Sequence, residues 1–213
     1  MLELKALIEG DLYTDYRTRL LYATDASAYR EVPKAVVLPK SKADIKAVIQ
    51  WADKNNTSVI PRTAGTSLAG QVVGGGIVVD VSKYLTRIEE FNATERWVRV
   101  QPGVILDELN MFLEPHGLFF GPETSTSSRC MMGGMVGNNS CGSHSLIYGT
   151  TREHTLEIEA VLSDGSEVVF GDLTDEEFEK KCLLDSLEGD IYRNIRDELS
   201  VTEVQQRIRD EYP

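Results

Sequence analysis

The chain has 213 residues, of which 41% are hydrophobic and 26% are charged, a balance typical of a globular protein rather than a disordered or fibrous one. Its formal net charge of −12 argues against a role in binding nucleic acid. The three cysteines form no CxxC pair, which argues against a disulfide framework and against a metal site. No apolar run is long enough to span a bilayer and no signal peptide is recognisable, so we expect a cytoplasmic protein that meets membranes only through partners.

The N-terminal part of the sequence is weakly patterned. Residues 2–11 favour a short amphipathic helix, whereas residues 13–32, which are rich in Tyr, Arg, Asp and Ala, are predicted to be irregular. We therefore treat residues 1–31 as a lead-in to the first regular unit.

Regular structure begins with a β–α–β unit. A strand is predicted at 35–39 and a second strand at 58–60, with an amphipathic helix between them. Ser41 is the predicted N-cap of that helix, and Asp44 has the spacing of a capping box. Such a unit predicts parallel strands with a right-handed crossover.

The pattern changes beyond residue 83. After a strand at 77–81, the sequence predicts strands at 88–91 and 97–100 and a helix at 104–114 ended by Gly117. A hairpin with strands at 155–162 and 167–170 follows, and then a charged, mostly helical tail from Thr174. This change predicts an α+β chain with two lobes, at about 32–83 and about 84–213.

A loop of small residues follows the second strand, with the sequence Pro61-Arg62-Thr63-Ala64-Gly65-Thr66-Ser67-Leu68-Ala69-Gly70. Small residues allow a sharp turn that presents successive N–H groups to an anion such as pyrophosphate. Arg62 either adds a cation or braces the loop, and a plain surface loop is the alternative for the whole segment. Neither GxxxxGK[ST] nor GxGxxG is present, so a P-loop and an NAD-type Rossmann site are not supported.

A second stretch of small residues lies between Gly121 and Gly149. It contains GPETS at 121–125 and CMMGGMVGNNSCG at 130–142. Glycine and asparagine at this density are poor material for a helix or a strand. Their backbone freedom is typical of a segment that approaches a ligand closely.

The two stretches, in this order, resemble the FAD-binding (PCMH-type) domain of the vanillyl-alcohol oxidase / p-cresol methylhydroxylase class. The resemblance covers roughly residues 25–171 and is carried by PRTAGTSLAG, GPETSTS, MMGGMVGNNSCG and YGTTREHTLEIEAVLSDG. GNNSCGSHSLIYG is most similar to the branch of glycolate oxidase subunits, D-lactate dehydrogenases and FAD-linked oxidases. The resemblance implies a two-lobed fold with FAD between a small β–α–β lobe and a larger mixed-sheet lobe.

The resemblance also implies which residues bind the cofactor. The first loop wraps the FAD pyrophosphate, the second stretch follows the ribityl chain and the flavin, and a late strand meets the adenine end. The implied cofactor-binding residues are Arg62, Thr63, Ala64, Gly65, Thr66, Ser67, Gln71, Pro122, Gly133, Gly134, Gly137, Asn138, Asn139, Ser140, Gly142, Gly149 and Ile158.

Two further features bear on how FAD is held. Some family members attach FAD through a histidine of the first loop, which is absent from Ala64-Gly65-Thr66, and others use a cysteine near the position of Cys130. The branch resembled here implies noncovalent FAD. Met131, Met132 and Met135 are predicted to be core residues, with contact to the flavin ring as the alternative.

The implied function is oxidation of a small 2-hydroxy acid, such as D-lactate or glycolate, by hydride transfer to flavin N5. The cap domain that binds substrate in this family has no counterpart in the sequence, so we expect the cofactor-binding part of a longer enzyme. The cap domain or a partner subunit, which is iron–sulfur in some relatives, would complete it. No catalytic base is assigned, since His116, His144 and His154 are interpreted as structural or surface residues, and no metal site is predicted. The alternatives are a non-catalytic FAD-binding module for electron transfer or assembly, and a relative of the UDP-sugar reductases.

Overall fold

A four-stranded mixed sheet organises the first part of the chain. Its strands are β1 (Asp11–Tyr13), β2 (Ala35–Leu38), β3 (Val59–Arg62) and β4 (Ile77–Asp80), in the order β1-β2-β4-β3. β1 is antiparallel to β2, and β4 is parallel to both of its neighbours. The predicted parallel arrangement is confirmed, with β4 inserted between the two strands of the β–α–β unit.

The computed structural model describes residues 1–212. The chain divides into two compact units, Met1–Thr155 and Leu156–Pro213. The lobe boundary predicted near residue 84 stays a prediction.

Helix α3 (Lys42–Lys54) connects β2 to β3 and begins as predicted. The Ser41 hydroxyl accepts a hydrogen bond from the Asp44 N–H at 3.3 Å, so Ser41 is the N-cap. The Asp44 carboxylate accepts hydrogen bonds from the N–H groups of Glu9 and Gly10, at 2.9 and 3.0 Å. Asp44 is buried, and this carboxylate ties the N-terminal segment to the start of α3.

The lead-in is more regular than the sequence predicts. Helix α1 (Leu2–Leu7) confirms the expected amphipathic helix, but α2 (Tyr16–Leu21) lies in the segment predicted to be irregular. The Asp15 carboxylate caps α2 by accepting the Thr18 N–H at 3.0 Å. The prediction was wrong because a helix of six residues is too short to show apolar periodicity.

The apolar core lies on both faces of this sheet. Every residue of β2 and β4 is buried, as expected for parallel strands covered on both faces. Val48 and Trp51 of α3 pack on one face, and Trp51 is confirmed as a core residue. Ile60 of β3 belongs to the cluster on the opposite face.

A second core lies around helix α4 (Leu106–Leu113), which follows an antiparallel pair formed by β5 (Ile88–Asn92) and β6 (Trp97–Val100). A short 3₁₀ turn continues α4, and Gly117 ends it with φ +68°, as predicted.

The glycine-rich second stretch is partly helical, which corrects the prediction. Helix α5 (Met132–Asn138) and the single turn α6 (Ser145–Tyr148) both lie within it. Met132 and Met135 are buried in the second core, so the packing of these two side chains outweighs the low helix propensity of the glycines. Asn139 ends α5 in the left-handed region with φ +45°.

The second unit begins with the predicted hairpin of β7 (Glu157–Val161) and β8 (Glu167–Gly171). It continues with α7 (Asp175–Cys182), α8 (Leu187–Ser200) and α9 (Thr202–Glu211), in line with the predicted helical tail. Within residues 1–212, no helix combines the length and the apolar character that crossing a membrane requires.

Candidate cofactor-binding site

The first loop leaves the sheet at the carboxyl end of β3, which ends at Arg62, and together with the adjoining Gln71 it covers residues 62–71. Gly65 and Gly70 have φ of +66° and +75°, in the left-handed region that glycine adopts most easily. Within the described residues, the backbone N–H groups of residues 63–68 donate no hydrogen bond. Free N–H groups on a tight turn favour phosphate binding, so the loop fits a pyrophosphate.

Arg62 lies at the start of this loop, and its side chain is half-buried against the lead-in. Its Nη1 donates to the carbonyl oxygen of Thr24 at 2.9 Å, and its guanidinium lies 5.2 Å from the centre of the Tyr22 ring. The sequence allows Arg62 either to add a cation for the phosphates or to brace the loop, and these contacts favour the bracing role.

The second stretch meets the first loop at helix α5. The side-chain Nε2 of Gln71 donates to Oδ1 of Asn138 at 3.0 Å. A Cβ built on Gly134 would collide with the Thr63 hydroxyl, so the absence of a side chain at Gly134 allows α5 to approach the loop. The structure therefore brings together four of the implied cofactor residues from segments that are distant in sequence.

The residues after α5 are held by local contacts. The Asn139 side-chain oxygen accepts the Arg152 N–H at 2.9 Å, and the Ser140 carbonyl accepts the Thr151 hydroxyl at 2.7 Å. The Asn138 side-chain nitrogen donates to the Ser140 hydroxyl at 3.3 Å. The side-chain oxygen of Asn139 thus supports the stretch, while the side chains of Asn138 and Ser140 remain near its exposed surface.

The glycines of the second stretch have different surroundings. Gly133 donates its N–H to the Pro102 carbonyl at 2.9 Å, and a Cβ there would come 2.5 Å from the Pro102 side chain. A Cβ on Gly142 would collide with the Glu123 backbone, and one on Gly149, whose φ is +74°, would collide with the Glu153 carboxylate. Gly137 has open space around it. Gly133, Gly142 and Gly149 are therefore close-packing positions of the stretch itself.

Two implied residues lie outside the contacts between the first loop and α5. Pro122 is buried in the segment that precedes α5. Ile158 belongs to the second unit, where it lies in β7 opposite Phe170 and is 39% exposed. Their roles at the cofactor stay predictions.

Cys130 and the methionines lie largely inside the protein. Cys130 is 5% exposed. Its Sγ accepts a hydrogen bond from the Thr124 hydroxyl at 3.3 Å and lies 3.6 Å from the Met135 sulfur. Met132 and Met135 are confirmed as core residues. Met131 is half-buried.

Each histidine has a partner within the first unit. The His116 ring lies 4.6 Å from the ring of Phe91. His144 Nδ1 lies 2.6 Å from the Glu123 carboxylate. His154 Nε2 lies 2.5 Å from the Tyr148 carbonyl oxygen. These contacts support their interpretation as structural or surface residues. Across the described chain, no group of three His, Cys, Asp or Glu side chains is arranged to hold a metal ion.

One part of the lead-in contacts the first loop, which the sequence did not predict. Ala26 donates its N–H to the Gly65 carbonyl at 3.1 Å, and a Cβ on Gly70 would come 2.6 Å from the Tyr29 ring. The Asp25 carboxylate accepts the Ser27 N–H at 2.8 Å in a local turn. Burial acts to raise the pKa of Asp25, but the hydrogen bonds from Ser27 hold it below its ordinary value. The Asp-Ala-Ser turn was the only sequence signal of this structure.

The comparisons with known proteins agree with this geometry. The sequence matches the FAD binding domain family over residues 33–171. It is 48% identical to a D-2-hydroxyglutarate dehydrogenase of Haemophilus influenzae over 160 residues, which are 74% of this chain and 16% of that protein. It is 33% identical to the glycolate oxidase subunit GlcD of Bacillus subtilis over 150 residues, which are 69% of this chain and 32% of that protein.

A solved structure shares the fold. An alkyldihydroxyacetonephosphate synthase superimposes with a TM-score of 0.70 at 22% identity, over 78% of this chain and 37% of that one. The chain thus spans about a sixth of the dehydrogenase and about a third of the glycolate oxidase subunit. With the family match covering most of the chain and the first loop meeting α5 of the second stretch at one site, this protein belongs to the FAD binding domain family, and its cofactor is FAD.

Proposed function

We propose that this chain is the cofactor-binding part of an FAD-dependent dehydrogenase that oxidises a 2-hydroxy acid. The observation that carries the proposal is the meeting of the first loop with α5 of the second stretch, through Gln71 and Asn138 and through Thr63 and Gly134. The relatives named as D-2-hydroxyglutarate dehydrogenase and as a glycolate oxidase subunit support the substrate class. D-2-hydroxyglutarate, D-lactate and glycolate are accordingly the substrates to test.

Within this proposal, the first loop binds the charged centre of the cofactor. The free N–H groups of residues 63–68 donate to the pyrophosphate, and the hydroxyls of Thr66 and Ser67 add further donors. The side chains of Asn138 and Ser140 bind the polar chain between the phosphates and the ring. FAD, when bound, supplies an acceptor for the two electrons that leave the substrate carbon.

We propose that FAD is held noncovalently. A covalent bond through Cys130 would require its sulfur to reach the ring, but this side chain is 5% exposed and packs against Met135. Histidine is absent from residues 62–71, so this loop offers no imidazole for such a bond.

The substrate pocket and the catalytic base belong, in this proposal, to other parts of the whole protein. The small share of each relative that the chain spans supports this division. An iron–sulfur region, in the same polypeptide or in a partner subunit, would then carry electrons away from the flavin. The three free cysteines are consistent with a reducing compartment, and we place the protein in the cytoplasm.

The first test is cofactor binding by this chain. Purified chain is titrated with FAD, and the change in flavin fluorescence gives the Kd, with riboflavin, which lacks the pyrophosphate and the adenosine, as the comparison ligand. We expect FAD to bind much more tightly than riboflavin, since the first loop recognises phosphate. Equal affinities, or no binding of FAD, would exclude the assigned role of that loop.

The second test addresses the reaction and uses the whole protein that contains this chain. Loss of the flavin absorbance under anaerobic conditions is followed after addition of D-2-hydroxyglutarate, D-lactate or glycolate, with L-2-hydroxyglutarate and L-lactate as controls for the two chiral substrates. Bleaching by one of the hydroxy acids supports the dehydrogenase. A flavoprotein that none of them bleaches supports the non-catalytic FAD-binding module instead.

A further inference from the structure

We propose that residues 22–31, which lie before the segment matched by the family, hold the first loop in its cofactor-binding shape before FAD arrives. This inference rests on the proposed cofactor role of the loop. It assigns Arg62 as a positioning residue, and it makes the lead-in a functional part of the site.

Three contacts connect the lead-in to the loop. Arg62 Nη1 donates to the Thr24 carbonyl at 2.9 Å, and the Ala26 N–H donates to the Gly65 carbonyl at 3.1 Å. The Tyr29 ring lies against Gly70, where no side chain could be added without moving it. The contacts are distributed from the beginning to the end of the loop, so they constrain its whole path.

The guanidinium of Arg62 is at the centre of this arrangement. It lies over the Tyr22 ring at 5.2 Å, and a Cβ on Gly65 would come 2.5 Å from one of its nitrogens. A planar guanidinium can stack on the ring and donate to a carbonyl at the same time, which a lysine ammonium does less well. Arg62 therefore fills the space under the turn at Gly65.

The lead-in is itself anchored, so it can serve as a support. The Tyr22 hydroxyl donates to the buried Asp80 carboxylate at 2.7 Å, at the end of β4. The Glu31 N–H donates to the Ala23 carbonyl at 2.9 Å and closes the segment on itself. Residues 22–31 are thus attached to the central sheet through Asp80.

A loop that is already ordered loses less conformational entropy when it binds a ligand. The free N–H groups of residues 63–68 have no hydrogen bonds of their own to keep them aligned. Their alignment therefore depends on the lead-in, and weakening the lead-in should weaken binding of FAD.

The test compares Arg62→Lys and Tyr22→Leu with two matched controls in α2, Arg17→Lys and Tyr16→Leu, whose side chains are exposed. Arg62→Lys keeps the positive charge but loses the planar guanidinium that stacks on Tyr22 and donates to Thr24. We expect each test variant to raise the Kd for FAD by about tenfold, and the double variant to raise it by much less than the product of the two. The controls should keep the wild-type Kd.

Hydrogen exchange of the FAD-free chain gives an independent readout. The Ala26 N–H is protected by the Gly65 carbonyl, so the segment 22–31 should exchange faster in both test variants and not in the controls. Far-UV circular dichroism checks that each variant is folded, and Arg62→Lys remains informative if Tyr22→Leu is not.

The outcomes separate this inference from the proposed function. If Arg62→Lys weakens FAD binding while exchange of 22–31 is unchanged and Tyr22→Leu binds FAD normally, Arg62 is a direct phosphate ligand and the inference is wrong. If the wild-type chain does not bind FAD but exchange responds as expected, the support of the loop stands and the cofactor role fails.

Discussion

Gln71 and Asn138 are 67 positions apart in the sequence, and the side-chain nitrogen of Gln71 donates to the Asn138 Oδ1 at 3.0 Å. Both residues are exposed, so the hydrogen bond adds little to stability. Its importance is positional, because it joins the loop after β3 to the end of α5. The two stretches that the resemblance assigns to one cofactor are thereby held at one place.

The first prediction concerns this bond. We expect Gln71→Ala to lower the free energy of unfolding of the FAD-free chain by about 0.5–1 kcal/mol. The double variant should be no less stable than Asn138→Ala alone, since Asn138→Ala already removes the bond to Gln71 together with its own bond to Ser140. Denaturant unfolding measures the three values. Gln50→Ala, on the exposed side of α3, is the control and should combine additively with Asn138→Ala. Additive effects of Gln71→Ala and Asn138→Ala would show that the bond is not formed in solution.

The second prediction compares two glycines of α5. Gly133→Ala should destabilise the chain by about 1–3 kcal/mol, because the new Cβ would come 2.5 Å from the ring of Pro102, which cannot rotate away. Gly137→Ala should stabilise it by up to about 1 kcal/mol, because Gly137 has open space and alanine favours a helix. Thermal unfolding of the FAD-free variants gives the comparison. Equal effects would mean that α5 does not pack against Pro102.

The third prediction concerns the attachment of FAD. Acid precipitation of the FAD-loaded chain should leave all of the flavin in the supernatant, because the Cys130 sulfur is enclosed by Thr124 and Met135. Absorbance of the supernatant and of the redissolved pellet provides the measurement, and Cys130→Ser should behave like the wild type. Flavin in the wild-type pellet that disappears in Cys130→Ser would demonstrate a covalent bond.

The fourth prediction concerns acid stability. The Lys83 ammonium, 2.7 Å from the Asp11 carboxylate, and the Tyr84 hydroxyl hold the pKa of Asp11 below its ordinary 3.8. A carboxyl group whose pKa is lower in the folded state stabilises the protein above the unfolded value, and this contribution is lost as the pH falls through the folded value. Asp11→Asn should therefore be less stable than the wild type at neutral pH, and the difference should shrink below pH 3.8.

Denaturant unfolding at several pH values tests this dependence. Asp172→Asn removes an exposed carboxylate from the second unit and serves as the control for the change in net charge. A difference between Asp11→Asn and the wild type that stays constant down to the lowest pH would contradict the assigned interaction.

Local signals in the sequence located most of the elements near the site. The apolar run of β2, the N-cap at Ser41 and the helix end at Gly117 depend on residues close in sequence, and all three predictions were confirmed. The glycines of the first loop likewise have a local cause, since Gly65 and Gly70 adopt positive φ.

The errors arose where distant residues decide local structure. Residues 132–138 are helical because Met132 and Met135 fill a core that also contains Leu106 and Leu109, and this packing has no signature in the glycine-rich segment. The lead-in was underestimated because its contacts with the loop use the backbone of Thr24 and Ala26, and a main-chain donor or acceptor is the same for every residue type.

The sequence by itself determined which segments are free enough to approach a cofactor, since that freedom follows from glycines and small polar residues. It also determined the family, through the order of the two stretches. Only the tertiary structure decided that Gln71 meets Asn138, that Gly134 faces Thr63, and that Arg62 turns toward Tyr22. Those pairings depend on how strands and helices pack in three dimensions, which the spacing of residues along one chain does not specify.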